Sequence, residues 1–135
     1  MSKSLIYTAN TTGAAVPIGN TVPVGSIIRR YGPCIDATGS AINLTEAGYY
    51  DVNVSATVTA AAAGDVVLAL TQDGVPVPGA RAAATITTPT TQAESLTLTA
   101  AIRVRCCGNS NIAILVDGTT APTIENMAIR TVKVV

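Results

Sequence analysis

Tyr49-Tyr50-Asp51-Val52-Asn53-Val54-Ser55-Ala56-Thr57-Val58-Thr59 alternates without a break. Its even positions are Tyr50, Val52, Val54, Ala56 and Val58; its odd positions are Tyr49, Asp51, Asn53, Ser55, Thr57 and Thr59. A period of two with one apolar face predicts a strand packed on one side only. The stretch from Ser95 to Cys106 repeats the pattern, with Leu96, Leu98, Ala100, Ile102, Val104 and Cys106 facing one way and Ser95, Thr97, Thr99, Ala101, Arg103 and Arg105 the other. Two long strands with the same one-sided pattern predict a sandwich of sheets.

Turn chemistry extends that reading in both directions. Val66 to Gln72 and Val75 to Val77 flank Asp73-Gly74, a pair whose two residues tolerate the positive φ of a tight hairpin. Pro76 and Pro78 lack an N–H and belong at a sheet edge or strand end. Ala80 to Thr87 reads as a weaker strand with Arg81 outward and Ile86 inward, and Thr87 to Gln92 as a loop. After a turn at Gly108-Asn109-Ser110, Asn111 to Val116 is apolar on both faces and stops at Asp117-Gly118. The last strand, Ile124 to Val135, slips in parity, with Met127 and Ile129 odd but Val132 and Val134 even, and a β-bulge near Arg130 would reconcile them. Leu5 to Thr8, Ile27 to Tyr31 and Ala41 to Leu44 are short strands. The sum is eight to ten strands in one domain, residues 1–135, with no sustained repeat or linker.

Composition agrees. Of the 135 residues, 47 are Val, Ile or Thr and only seven are Leu, and β-branched side chains suit a pleated surface better than a helix. Surface scaling for 13.6 kDa leaves about 6,600 Å² exposed, so a core forms without metals or disulfide staples. Charged residues are 12%, about half the usual share, and eight cations balance eight acids. With a mean hydropathy of +0.44, such a surface is poorly protected against association. Copies of the chain or a partner are therefore expected to cover part of it. No basic stripe or aromatic platform supports nucleic-acid binding, no apolar run approaches the roughly 20 residues of a membrane span, and Met1 to Tyr7 has no signal-peptide core.

The residues that invite chemistry have plainer uses. Histidine, the commonest general base and metal ligand, is absent. Cys34, Cys106 and Cys107 form an odd set with no Cys-x-x-Cys spacing, and the adjacent pair would point to opposite faces of a strand. All three read as reduced thiols, and Cys106 and Cys107 as two small hydrophobes at a strand end. Asp73 and Asp117 could be imagined as an acid–base pair, yet each precedes glycine in a tight turn, where aspartate is favoured for its local hydrogen bonds. The scattered acids offer no calcium cage, and the Asn-x-Ser/Thr matches at Asn10, Asn43 and Asn53 are expected by chance among 20 threonines. The expectation is no enzyme, no cofactor and no metal.

The run Ile42-Asn43-Leu44-Thr45-Glu46-Ala47-Gly48-Tyr49-Tyr50, continuing through Thr59, resembles the Gly-aromatic-aromatic strand of tumour-necrosis-factor-like jelly rolls, which include the complement globular heads. Gln72-Asp73-Gly74-Val75-Pro76-Val77-Pro78-Gly79 is similar to a hairpin in the C-terminal domains of exosporium collagen-like glycoproteins and of bacteriophage structural proteins. Together with Arg103 to Val116 and the closing strand, the resemblance spans residues 40 to 135. It implies an all-β, antiparallel two-sheet jelly roll of about ten strands that assembles as a homotrimer. By position, Tyr49 to Thr59, Ser95 to Arg105 and the last strand would form the sheet against the threefold axis. Two departures stand out: there is no collagen-like stretch and no phenylalanine.

That implication makes Tyr49, Asp51, Asn53, Ser55, Thr97, Thr99 and Arg103 the candidate trimer interface, with Asp51 and Arg103 paired across the contact. The expected function is a structural virion protein of a bacteriophage: a capsid decoration, head-fibre or tail-associated component. It would be made in the host cytoplasm, displayed on the virion surface, and partnered by itself and by capsid or tail proteins. The alternative is a carbohydrate- or receptor-binding head on a fibre, spore or cell surface, with a host-surface glycan engaged by Thr87 to Gln92 and Thr119 to Thr123. Neither nucleic acid nor membrane is an expected partner.

Overall fold

The computed structural model of the chain describes residues 3–105 and 109–135. Among them run eleven strands: β1 (Leu5–Asn10), β2 (Ala14–Ala15), β3 (Ser26–Tyr31), β4 (Ile35–Thr38), β5 (Ala41–Leu44), β6 (Gly48–Ala60), β7 (Gly64–Gln72), β8 (Val75–Ile86), β9 (Glu94–Val104), β10 (Ser110–Gly118) and β11 (Pro122–Lys133). One sheet has the order β3-β1-β11-β6-β9, with β2 pairing the start of β11; the other has the order β4-β5-β10-β7-β8. Every pairing is antiparallel. The architecture is the expected jelly-roll sandwich. β2 and β4 are the strands that the alternation did not mark, being a fully exposed pair of alanines and a four-residue segment with one buried side chain.

The long alternating segments became β6 and β9, hydrogen-bonded along their whole length from Gly48–Val104 to Val58–Glu94. Their even side chains, Tyr50, Val52, Val54, Leu96, Leu98 and Ile102 among them, are buried in one core with Leu68, Leu70, Ile112 and Ile114 of the other sheet. The accessible surface is 6695 Å², matching the size scaling for a fully packed domain.

Asp73 and Gly74 sit at φ 52° and 83°, the conformation that the tight hairpin requires, and Gln72 pairs with Val75 across them. β8 is an edge strand, so the missing N–H groups of Pro76 and Pro78 disturb no central ladder. It also runs unbroken to Ile86, uniting the two segments read separately in the sequence through an irregularity opposite Ala69 to Thr71.

The expected bulge near Arg130 is corrected. The register of β11 on β6 shifts between Ile124 and Asn126, and from Met127 onward it is continuous through Arg130 to Lys133. The inward positions are therefore Met127, Ile129, Thr131 and Lys133, whereas Val132 lies half-buried on the outer side and Val134 is exposed. Apolarity misplaced the bulge because two polar side chains take core positions. Lys133 pairs there with Glu46 at 3.5 Å, its side chain 2% exposed, and Thr131 Oγ1 is buried without a protein partner, as is Thr8 Oγ1.

Cys34 is a free, buried thiol. Cys106, Cys107 and the first residue of the expected turn at Gly108 lie outside the described residues.

Candidate functional site

All seven candidate interface residues share one surface, the outward face of the six-stranded sheet. Alternation puts Tyr49, Asp51, Asn53 and Ser55 of β6 and Thr97, Thr99 and Arg103 of β9 on the side away from the core, and all seven are exposed. Register orders them into cross-strand rows. Tyr49 lies opposite Arg103, Asp51 opposite Ala101, Asn53 opposite Thr99 and Ser55 opposite Thr97.

β1 and β11 extend the rows with residues that the sequence reading did not include. Arg130 faces Asn53 on one side and Tyr7 on the other; Ala128 faces Ser55 and Ala9. Arg29 of β3 faces Tyr7. The signal for Arg130 and Ala128 was present as parity, but a bulge placed at Arg130 scrambled it.

Because so many of these side chains are short, the middle of the face is concave. Tyr7, Asn53, Ser55, Thr97, Thr99 and Arg130 line a hollow of about 300 Å³. A second, of about 510 Å³, opens between Asp51, Asn53, Thr99 and the Pro78-Gly79 corner of β8. The Arg103 guanidinium carbon lies 5.9 Å from the centroid of the Tyr49 ring, a cation–π contact that braces both side chains. Asp51 and Arg103 are diagonal neighbours across β6 and β9. Within the described residues the ion pairs are Arg81–Asp117 and Lys133–Glu46, so both charges remain free for a partner. Arg29, Arg103 and Arg130 outnumber Asp51 on the central rows, giving the face a positive balance.

The other candidates separate. Asp73 Oδ1 accepts from the Asn111 N–H at 2.9 Å and Oδ2 from the Ser110 hydroxyl at 3.0 Å, while Asp117 Oδ1 accepts from the Gly118 N–H at 2.8 Å. Asp117 stands six residues along β10 from Asn111, roughly 20 Å away, so the two carboxylates cannot share a substrate atom. Among the described residues, no three His, Cys, Asp or Glu side chains gather as metal ligands.

The loops Thr87 to Gln92 and Thr119 to Thr123 do meet at one end, where Thr90 N–H reaches the Ala60 carbonyl and Pro122 pairs with Ala60. Several of their side chains are engaged locally. Gln92 Oε1 accepts from the N–H groups of Thr87 and Thr88 and from the Thr87 hydroxyl, and Thr119 Oγ1 accepts from Asp65 N–H.

At the opposite end, Glu46 organises a buried polar cluster. Cys34 Sγ donates to Glu46 Oε2 at 2.7 Å, Lys133 pairs with Oε1, and the Tyr50 hydroxyl donates to the Glu46 carbonyl at 2.6 Å. Burial pushes the Tyr50 phenol above its ordinary value; Cys34 and the Glu46 charge add to this, and the bond to the Glu46 carbonyl opposes it. The cluster secures the segment leading into β6.

No protein-family model matches the sequence, and no curated protein matches it. Solved structures do. The Eiger TNF from S. frugiperda superposes with a TM-score of 0.70 at 16% identity, over 98% of this chain and 92% of that one. The globular domain of zebrafish complement 1qA gives 0.69 at 8% identity, over 97% and 96%. The PRD1 vertex protein P5 gives 0.63 at 12% identity, over 98% and 97%. The chain therefore has the tumour-necrosis-factor-like, complement-head-like jelly-roll fold.

Proposed function

We propose that the chain is a homotrimeric structural component of a bacteriophage particle, displayed on the virion surface as a capsid decoration, head-fibre or tail-associated protein. The observation that carries this reading is the uncovered face of the six-stranded sheet. β6 lies between two hydrogen-bonded neighbours, yet Asn53 and Ser55 at its middle are exposed over a hollow of about 300 Å³. A stable contact needs roughly 800 Å² per partner, and a sheet face lined by short side chains lets another copy approach to backbone distance.

Asp51 and Arg103 of neighbouring copies then meet across the contact, and Asp51 offsets part of the positive balance that would otherwise separate three such faces. The likeness in fold to the vertex protein of PRD1 supports a place on a particle. Assembly, not chemistry, is the mechanism, and no catalytic group, cofactor or metal takes part.

The glycan-binding alternative is less favoured, because Gln92 and Thr119, one from each loop, spend their acceptors on neighbouring backbone N–H groups. Light scattering on a size-exclusion column tests the proposal. A mass three times that of the chain is expected, and Arg103→Glu is expected to shift it toward the monomer. A monomer in the parent protein, or an unchanged trimer in Arg103→Glu, would count against the contact as drawn.

A further inference from the structure

The two ends of the sandwich differ in charge and in exposed apolar surface. At one end β6 begins, β9 and β11 finish, and the β7–β8 hairpin turns. Among the described residues, the five most exposed large apolar side chains all lie there: Tyr31 67%, Val75 66%, Val134 56%, Val135 54% and Tyr49 50%. Register and hydrogen bonds place them across the width of that end, from β3 to β8. Tyr31 pairs with Leu5, which pairs with Val132; Val134 N–H bonds the Tyr49 carbonyl; and Val75 pairs with Gln72, whose side chain donates to the Arg103 carbonyl.

Cations are interleaved with this apolar surface. Arg103 and Arg105 separate a hollow of about 340 Å³, shared with Tyr49 and Val135, from one of about 590 Å³, shared with Gln72 and Asp73. The backbone carbonyl of Lys3, an exposed residue, lies beside Gly32, next to Tyr31. Of the acids of this end, Asp73 is engaged by Ser110 and Asn111, Glu46 by Lys133 and Cys34, and Asp36 by the Ala37 N–H, while Asp51 is assigned to the proposed contact between copies. Asp65, Glu94, Asp117 and Glu125 lie toward the other end, where β7 and β9 start, β10 stops and β11 begins.

We propose that the end bearing Lys3, Tyr31, Val75 and Arg105, with Tyr49 and Arg103 at the border it shares with the proposed contact between copies, is a docking surface for a protein partner whose contact patch carries carboxylates among apolar side chains. Tyrosine and arginine around exposed apolar surface is the composition of interface centres, and free cations with engaged acids select a carboxylate-bearing partner. This rests on the reading of the chain as a particle component, and it names the end that meets the particle and the chemistry it meets.

The test uses three fluorescent probes of equal charge: a peptide of alternating glutamate and leucine, one of alternating glutamate and serine, and a short DNA duplex. The glutamate–leucine peptide is expected to bind the parent protein about tenfold more tightly than the glutamate–serine peptide, because only the former meets the apolar side chains. The Lys3→Glu/Arg105→Glu double variant is expected to lose about tenfold in affinity, and Arg81→Glu, on the other sheet, to lose none. Arg103 is left intact because it belongs to the proposed contact between copies.

Equal binding by parent and double variant, or duplex DNA bound as tightly as the glutamate–leucine peptide, overturns the proposal. Tyr31→Ser, which removes an exposed ring without touching a charge, is expected to weaken only the glutamate–leucine peptide; no change counts against the site. Masses measured on the same samples keep the two ideas apart. A trimer that ignores the peptides defeats the docking end alone, a monomer that binds them end-specifically defeats the trimer alone, and a mass that climbs without limit with concentration makes a second copy the occupant and overturns the assignment.

Discussion

The outward faces of the two sheets begin from similar strands and end in different states. On β6 the outward residues from Tyr49 to Ser55 are all exposed, so its burial alternates strictly there; on β7 the stretch Val66 to Thr71 is buried on both sides. The difference comes from the neighbours. Val67 and Ala69, each 5% exposed, are flanked by Asp117 and Ala83 and by Leu115 and Arg81, so longer side chains close over the centre of the five-stranded sheet. Asn53 and Ser55 are flanked by Thr99 and Arg130 and by Thr97 and Ala128, and short side chains leave the centre open. Their charges also oppose: Asp36, Asp65 and Asp117 with Arg81 on the five-stranded sheet, Arg29, Arg103 and Arg130 with Asp51 on the other. A sheet closed by its own side chains needs nothing more, whereas an open one is a surface prepared for contact.

The largest effect is expected from filling the open face. Ser55→Tyr places a ring in the hollow beside Thr97 and Ala128, and light scattering should show complete loss of the trimer; Asn111→Tyr, exposed on the closed sheet, should leave the mass unchanged. Stability should show the reverse asymmetry. Val67→Asp is expected to cost about 3 kcal/mol in urea unfolding because it buries an unpaired carboxylate, whereas Thr99→Asp should cost the single chain under about 0.5 kcal/mol.

Inside the sandwich, Lys133→Ala breaks a pair whose lysine is buried but whose glutamate is about one-third exposed, and a loss of about 2 kcal/mol is expected. Thr131→Val should act in the opposite direction. It replaces a buried hydroxyl lacking a protein partner by a methyl of the same shape, and a gain of about 1 kcal/mol is expected.

A further effect concerns pH. The phenol of Tyr50 is raised above its unfolded value, so its contribution is fully present below pH 10 and is lost as the pH climbs through the raised value. Alkaline unfolding should therefore be shallower in Tyr50→Phe. That variant also loses the bond to the Glu46 carbonyl and should be about 1 kcal/mol less stable at neutral pH.

Much of this was legible from residue order. The alternation of Tyr49 to Thr59 and Ser95 to Val104 named the two strands and the side of each that faces the core, because a pleated strand has no other way to separate those side chains. Asp73-Gly74 named its hairpin because few residue pairs accept two positive φ values in succession. All seven candidate interface residues were readable as one strand face for the same reason. The closing strand was misread at Arg130 because Lys133 and Thr131 are polar residues in core positions, and hydropathy cannot anticipate a lysine whose partner, Glu46, lies 87 residues earlier in the chain.

Local sequence thus determined the strands, their inward faces and the tightest turn, since each depends on the stereochemistry of neighbouring residues alone. The order of the strands decided the rest. Placing β11 between β1 and β6 brought Tyr7 and Arg130 to complete the open face, set Lys133 against Glu46, and gathered Tyr31, Tyr49, Val75 and Arg103 at one end. Such neighbours, distant in sequence, are chosen by hydrogen-bond register between strands, which only the closed sandwich specifies.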